Sequence, residues 1–300
     1  MQTNETVINY PGATSSSGYR LRIYDSEVEF REREFFAHRH SDFELSFILS
    51  GSGVYRFADR SEPIASGDVF LFGSNKIHCI VSTDGDEPMR LCNVQFEPRF
   101  IWSPLANMLS REHVGLFSGR CEKLSRDTDL YPKILGDLKL IRREALDKRM
   151  GYAIVIRSRL CEIIAELMRA TGTESEEDSP RRRETLASMD KAMDYISERL
   201  DAPLTLGDIA SRAGFGRTYF STLFSELNGL TPWEYITIRR IERAKCLLGE
   251  TDLSVLEISG ASGFTNLSNF NRTFLRFEGV TPREYRKQNR NMISVSRNIL

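Results

Sequence analysis

The sequence predicts an α+β protein of two domains: a small N-terminal β-barrel with helices after it, then a C-terminal all-helical domain. Three observations carry this prediction. The chain has 300 residues, about twice the length of a typical domain. Between Tyr19 and Phe96 it runs in short β-like stretches, and from Tyr131 the apolar spacing becomes helical. Within the helical part, a unit of about fifty residues occurs twice.

The β-like stretches are 44–49, 54–57, 69–72, 79–82 and 91–96, set off by Gly51-Ser52-Gly53, Ser66-Gly67-Asp68 and Asp84-Gly85-Asp86. Strands recurring about every ten residues suit a small barrel or sandwich. Phe43, Phe47, Phe70 and Phe72 are expected to line its interior. Two amphipathic helical segments follow at 131–148, marked by Ile134, Leu138 and Ile141, and at 152–170, marked by Ile154, Leu160, Ile163, Ile164 and Leu167. The polar stretch 171–184 passes from an acidic block to Arg181-Arg182-Arg183 and reads as a linker. Helical spacing resumes with Leu186, Met189, Met193 and Ile196. The expected division is therefore 1–130 barrel, 131–170 helical connector, 171–184 linker and 185–290 helical domain.

With 41 Lys+Arg against 42 Asp+Glu, the net charge of -1 excludes a uniformly basic protein. That neutrality is a cancellation, because residues 181–300 carry 18 Lys+Arg against 14 Asp+Glu and the first 180 carry 23 against 28. The N-terminus lacks the pattern of a secretory signal, and no apolar run approaches the ~18 residues of a membrane span. The five cysteines, Cys79, Cys92, Cys121, Cys161 and Cys246, stand far apart among apolar neighbours, as expected of reduced, packed thiols. A cytoplasmic protein without a membrane partner is expected.

The repeat aligns Ile209 with Ile258 and Gly214-Phe215 with Gly263-Phe264. Further on, Phe220, Phe224, Gly229, Thr231-Pro232, Glu234 and Tyr235 align with Phe270, Phe274, Gly279, Thr281-Pro282, Glu284 and Tyr285, the second copy holding one extra residue. Each copy starts at an N-cap residue, Thr205 or Ser254, runs a short helix to the glycine, and restarts as a second helix with its phenylalanines at i,i+4. Helix, glycine turn, helix is the helix-turn-helix, here at about 205–227 and about 254–277, joined by a helix over 233–249. The polar faces left over suit base edges and phosphates of double-stranded DNA: Arg217, Thr218, Ser221 and Thr222 in the first copy, and Asn266, Ser268, Asn269, Asn271 and Arg272 in the second.

The segment 186–288, with its stretches IERAKCLLGETDLSVLEIS and GFTNLSNFNRTFLRFEGVTPREYR, resembles the DNA-binding domain of AraC/XylS-family transcription regulators. The resemblance places Thr218, Ser221 and Thr222, and then Leu267, Ser268, Asn271 and Arg272, at the base-reading positions. Ser259 and Ser262 depart from the small apolar residues usual there. The resemblance also implies an effector-binding sensor, commonly for sugars or related metabolites. It implies a homodimer formed through the connector helices, with Ile156, Leu160, Ile163 and Leu167 as the face to test, and contact with RNA polymerase if the protein activates.

In the β part, His38-Arg39-His40 followed by Glu44 and Gly51, with His78 after Gly67, resembles the two motifs of the cupin barrel. In metal-binding cupins the matching residues hold a divalent transition metal, and residues two apart on a strand share a face. The same four residues, His38, His40, Glu44 and His78, serve equally as polar groups of an effector pocket or as satisfied core groups. Gly73 and Asn75 stand where cupins usually have proline and glycine, which alters the loop that aims His78. His113 has no partner in sequence and is expected at the surface or in packing. Two functions of different class follow: an effector-responsive, sequence-specific DNA-binding regulator that is not an enzyme, and a cupin metalloenzyme with an accessory helical domain. A third is a constitutive DNA-binding protein whose barrel only dimerises.

Overall fold

The computed structural model describes residues 2–10, 19–28, 38–102, 121–171 and 180–288. Among the described residues, nine strands form two antiparallel sheets: β1 (Gln2–Tyr10), β2 (Tyr19–Val28), β3 (Phe43–Ser50), β4 (Ser52–Phe57), β5 (Ser61–Ala65), β6 (Val69–Phe72), β7 (His78–Asp84), β8 (Met89–Phe96) and β9 (Cys121–Lys123). One sheet has the order β1-β2-β8-β3-β6-β9 and the other β5-β4-β7. Strands β1, β2, β5 and β9 lie outside the five stretches named as β from the sequence. β9 is three residues long and β5 carries a proline, both typical of strands at a sheet edge.

The large sheet is buried on both faces, and the period of two sorts its side chains. Ile48, Phe70, Phe72 and Leu91 face Tyr55, Phe57, Ile64 and Ile80 of the small sheet and fill the space between the sheets. Phe43, Leu45 and Phe47 point the other way, into a cluster with Ile134, Leu138 and Ile141. The sequence expectation is thus corrected for Phe43 and Phe47, which are helix-facing. They share a strand face with Leu45, whereas Glu44 and Ser46 occupy the inner one.

The helices are α1 (Arg99–Trp102), α2 (Leu130–Asp147), α3 (Tyr152–Thr171), α4 (Pro180–Glu198), α5 (Leu206–Arg212), α6 (Arg217–Asn228), α7 (Pro232–Glu250), α8 (Val255–Ala261) and α9 (Leu267–Glu278). Residues 282–288 are helical as well. α2 backs the large sheet and α3 packs against α2, and this overturns the choice of dimer face. Ile156, Leu160, Ile163 and Leu167 are all at or below 4 % exposure within the chain itself. The last five residues of the expected linker open helix α4, with Pro180 at its first position, where its missing N–H is harmless. Residues 172–179 and His113 lie outside the described residues. Cys246 is exposed on α7, unlike the packed thiol expected of it. No helix among the described residues is long and apolar enough to cross a membrane.

Candidate functional site

The two helix-turn-helix units are built by matching local chemistry. The Thr205 hydroxyl accepts from the Asp208 N–H to open α5, and Ser254 with Glu257 forms a reciprocal capping box at α8. Gly214 and Gly263 then take positive φ, 69° and 85°, and turn the chain. The second helices end alike at left-handed Gly229 and Gly279. The aligned aromatics form the same ladder twice. Phe220, Phe224 and Tyr235 have successive ring centroids 5.6 and 5.5 Å apart, and Phe270, Phe274 and Tyr285 have them 5.7 and 5.5 Å apart. Thr231 with Glu234 caps α7, and Thr281 with Glu284 repeats the device.

The extra residue of the second copy sits in its turn and changes the cap of its second helix. α6 starts at Gly216, which has no side chain to offer, whereas Asn266 Oδ1 accepts from the Asn269 N–H at 3.0 Å. Burying the ladder leaves Arg217, Thr218 and Thr222 exposed on α6, with Ser221 half-buried. On α9 it leaves Asn266, Ser268, Asn269, Asn271 and Arg272 exposed, with Leu267 half-buried. Arg272 donates to Asn269 Oδ1 at 3.2 Å, which holds its guanidinium along the helix surface. Tyr219, 52 % exposed and edge-on to Phe215, belongs to the same face of α6 and was not singled out from sequence. An exposed aromatic directly after Thr218 was the signal available. Ser259 and Ser262 are buried, and the Ser262 hydroxyl has no partner among the described residues.

In the sensor, one ligand atom from each of His38, His40 and His78 lies within 4.8 Å of the others. Backbone pairing brings them together: His38 and His78 exchange N–H···O bonds of 3.2 and 3.1 Å, and Asn75 donates its N–H to the His40 carbonyl at 2.7 Å. Asn75 has φ 61°, the left-handed geometry a glycine would take, so the altered loop still delivers His78. Glu44 stands outside the three-histidine group but touches it, 3.0 Å from His40 Nε2 and 4.0 Å from His78 Nε2. Gln95 Nε2 donates to the same carboxylate at 2.5 Å, and Arg22 Nη1 donates to Gln95 Oε1 at 3.3 Å.

Burial pushes the Glu44 carboxyl up, but hydrogen bonds from His40 and Gln95 and the charge of His40 outweigh it and bring it down to about 2. Burial lowers His78 to about 4, the Glu44 charge opposing, and holds His38 well below its usual range with help from His78 and His40. For His40, burial is outweighed by the Glu44 hydrogen bond and its pKa rises. Burial also pushes the phenols of Tyr24 and Tyr55 up, helped by Glu44. The result is a buried anion ringed by donors at one end of an otherwise apolar interior.

A third feature escaped the sequence reading: a polar seam between sensor and helical domain. Arg99, fully buried, reaches Asp190 at 2.8 Å and Asp194 at 2.7 Å on α4. Arg239 of α7 lies 3.5 Å from Glu97, 3.7 Å from Glu242 and 3.8 Å from Asp42. Ser41 donates its N–H to Glu242 Oε1 at 3.1 Å. The Arg39 guanidinium lies 3.9 Å over the Phe277 ring and donates to the Arg276 carbonyl at 3.4 Å. The partners that cross between the domains are 91 to 238 residues apart in sequence, and no local pattern marks them.

Comparison with known proteins agrees with this layout. Residues 22–188 match the AraC-like ligand binding domain family, and residues 190–288 match a helix-turn-helix domain family. The melibiose operon regulatory protein of Escherichia coli K12 is 25 % identical over 267 residues, covering 87 % of each chain. The Msm operon regulatory protein of Streptococcus mutans is 23 % identical over 273 residues, covering 89 % of this chain and 92 % of its own. Among solved structures, wild-type ToxT of Vibrio cholerae with a bound unsaturated fatty acid superposes with a TM-score of 0.57 at 16 % identity. The match covers 92 % of this chain and 96 % of that one, a likeness of fold.

Proposed function

The chain belongs to the AraC family of transcription regulators, and from that membership we propose that it reads a specific operator through α6 and α9. The observation that carries this reading is the doubled unit with its two polar, exposed faces. Thr218, Ser221 and Thr222 with Arg217 would contact the first stretch of major groove, and Ser268, Asn269, Asn271 and Arg272 with Asn266 and Leu267 the second. Two helices presented by one rigid α7 can engage successive major-groove faces about 34 Å apart. The test is selection of operators from a random DNA pool by the purified chain, followed by Arg272→Ala. A base-reading arginine is worth about 1–3 kcal/mol of specific binding. Equal losses on specific and random DNA would remove Arg272 from the reading set.

The effector is proposed to bind the polar end of the barrel, against Glu44, Gln95, Tyr24 and the histidines, working in the cytoplasm where the operator lies. A ring of donors and acceptors around a fixed carboxylate favours a hydroxyl-rich ligand, and the melibiose operon regulator supports a carbohydrate. A thermal-shift screen of mono- and oligosaccharides against fatty acids decides this, since a ligand that binds the folded state raises its melting point. The regulatory names of both full-length relatives support regulation over catalysis by the barrel. For the homodimer, the apolar residues that α2 and α3 leave exposed near their turn, Leu146, Met150, Ile154 and Val155, replace the buried stripe as the proposed contact. Ile154→Arg is expected to yield monomers in analytical ultracentrifugation, and an unchanged mass would reject that surface. Contact with RNA polymerase belongs to this reading if the protein activates.

A further inference from the structure

Each sheet has two outermost strands, and three of these four edges are guarded. β9 is three residues long, and Arg60 donates to its Cys121 carbonyl. β5 carries Pro63, whose carbonyl accepts from Lys123 Nζ at 3.3 Å. β7 has its outer side occupied at His78, which exchanges backbone hydrogen bonds with His38. Short length, a proline, basic side chains and a covering segment are ordinary protections against the addition of a foreign strand. β1 has none of these. It runs nine residues, QTNETVINY, without proline, lysine or arginine, and among the described residues no strand pairs with the side that β2 leaves open. Its irregularity lies between Thr3 and Thr6, and from Thr6 to Tyr10 its register with β2 is regular. The charge of Glu5 is neutralised by Arg22 of β2 at 2.8 Å. A row of unmet backbone N–H and C=O groups beside an exposed Val7 is a template for another strand.

The surroundings of β1 favour a second copy of this chain. Thr6 and Ile8 are buried on the side of α2, and the Thr6 hydroxyl donates to the Ala145 carbonyl at 2.8 Å near the end of that helix. Leu146 follows at once, and Met150, Ile154 and Val155 lie exposed around the turn into α3. The open edge and the apolar turn therefore border each other. Two β1 strands that pair antiparallel are related by a two-fold axis perpendicular to the sheet. That axis keeps both α2–α3 turns on one side of the joined sheet and brings them toward each other across it. A single symmetry operation thus covers the strand edge and the apolar turn together, each meeting its own copy. A foreign strand added to β1 would leave Leu146, Met150, Ile154 and Val155 in water.

We propose that β1 pairs antiparallel with β1 of a second copy, so that two six-stranded sheets run on into one across the dimer axis. This pairing rests on the homodimer reading and adds to it backbone hydrogen bonds that the apolar turn alone does not require.

The test uses the full chain above and below its dimer dissociation constant, fixed by analytical ultracentrifugation, with hydrogen exchange read at both concentrations. Amides of 6–10 that point outward gain a partner in the dimer and are expected to exchange at least about ten-fold more slowly there. Residues 21–25 of β2, already paired on both sides, keep their rate. Val7→Lys sets a charge on the open edge and like charges near each other across the axis, and should weaken dimerisation at least about ten-fold while the dilute chain melts as before. A dimer whose 6–10 exchange matches that of the monomer, or that Val7→Lys leaves intact, overturns the strand pairing and leaves the turn contact standing. Protected 6–10 in a dimer that Ile154→Arg does not dissolve supports the pairing and rejects the turn. A chain that is monomeric at every concentration overturns both. If Val7→Lys does not fold, the exchange of the wild type decides.

Discussion

The two turn glycines give the sharpest test of how the repeated units are built, because the same substitution meets different surroundings in each. Gly214 and Gly263 share left-handed backbone, and an alanine in that region costs about 1–2 kcal/mol in either copy. At Gly214 an added Cβ meets nothing within 4 Å. At Gly263 it would lie 1.9 Å from the Leu200 carbonyl oxygen and 2.7 Å from Arg240 Nε. That carbonyl accepts from Arg240 Nε at 2.9 Å, while Arg240 Nη2 donates to the Ala202 carbonyl at 2.9 Å. The backbone of Leu200 cannot retreat without breaking at least one of these bonds, each worth about 1.5–3 kcal/mol because the donor is charged. Gly214→Ala should therefore cost about 1 kcal/mol, and Gly263→Ala about 3–4 kcal/mol, by differential scanning calorimetry of the full chain. Costs within about 0.5 kcal/mol of each other would refute the account, since strain alone would then explain both.

Replacing Arg99 by Met leaves Asp190 and Asp194 buried against an apolar side chain. A loss of about 3–5 kcal/mol is expected, with partial recovery on adding Asp190→Asn and Asp194→Asn; a loss below about 1 kcal/mol would contradict it. Ser262→Ala removes a buried hydroxyl that lacks a partner and should raise stability by about 1 kcal/mol in the same calorimeter, whereas a drop would mean the hydroxyl is satisfied. Three capping glutamates are held below the usual carboxylate range. At Glu234 and Glu284 the hydroxyls of Thr231 and Thr281 are the main cause, and at Glu257 it is the Ser254 backbone N–H. Folded values below unfolded ones mean the stability is fully present above the unfolded value of about 4.3 and is lost as pH falls through the folded one. The melting point should therefore drop in acid, and Glu→Gln at all three positions should flatten that drop. An unchanged pH profile in the triple variant would count against the caps.

What could be read from the sequence follows from how local each signal is. The local build of the two helix-turn-helix units was legible almost residue by residue, because caps, turn glycines and i,i+4 aromatics act within a dozen residues and occur twice. The histidine cluster was legible as a spacing, although the reason it closes, the His38–His78 backbone pairing and left-handed Asn75, is a tertiary fact. Phe43 and Phe47 were assigned to the wrong side because a sheet buried on both faces shows no polar alternation to tell inside from outside. Ile156, Leu160, Ile163 and Leu167 show why an apolar stripe names a buried face without naming what covers it. The seam residues Arg39, Asp42, Arg99, Arg239 and Glu242 look like ordinary surface charges in sequence and gain meaning only from partners in the other domain.

The seam also shows that its two attachments differ in strength in a way that suits control. Near the first unit, α1 packs against α6, and neighbouring Arg99 locks onto α4 with a fully buried ion pair whose loss costs about 3–5 kcal/mol. The second unit is held by Arg39 over Phe277, worth about 0.5–1 kcal/mol for an exposed cation–π contact. α7, which joins the two units, is held to the sensor by the Ser41–Glu242 bond and by Arg239 between Glu97 and Asp42, so that helix stays fixed with the first unit. Ligands that couple distant sites typically supply 1–3 kcal/mol. Binding in the barrel can therefore make or break the second attachment but not the first. On the proposed reading of the operator through α9, the first unit is expected to stay fixed to the sensor while the setting of α9 responds, so effector-dependent affinity is expected in the operator half that α9 would contact.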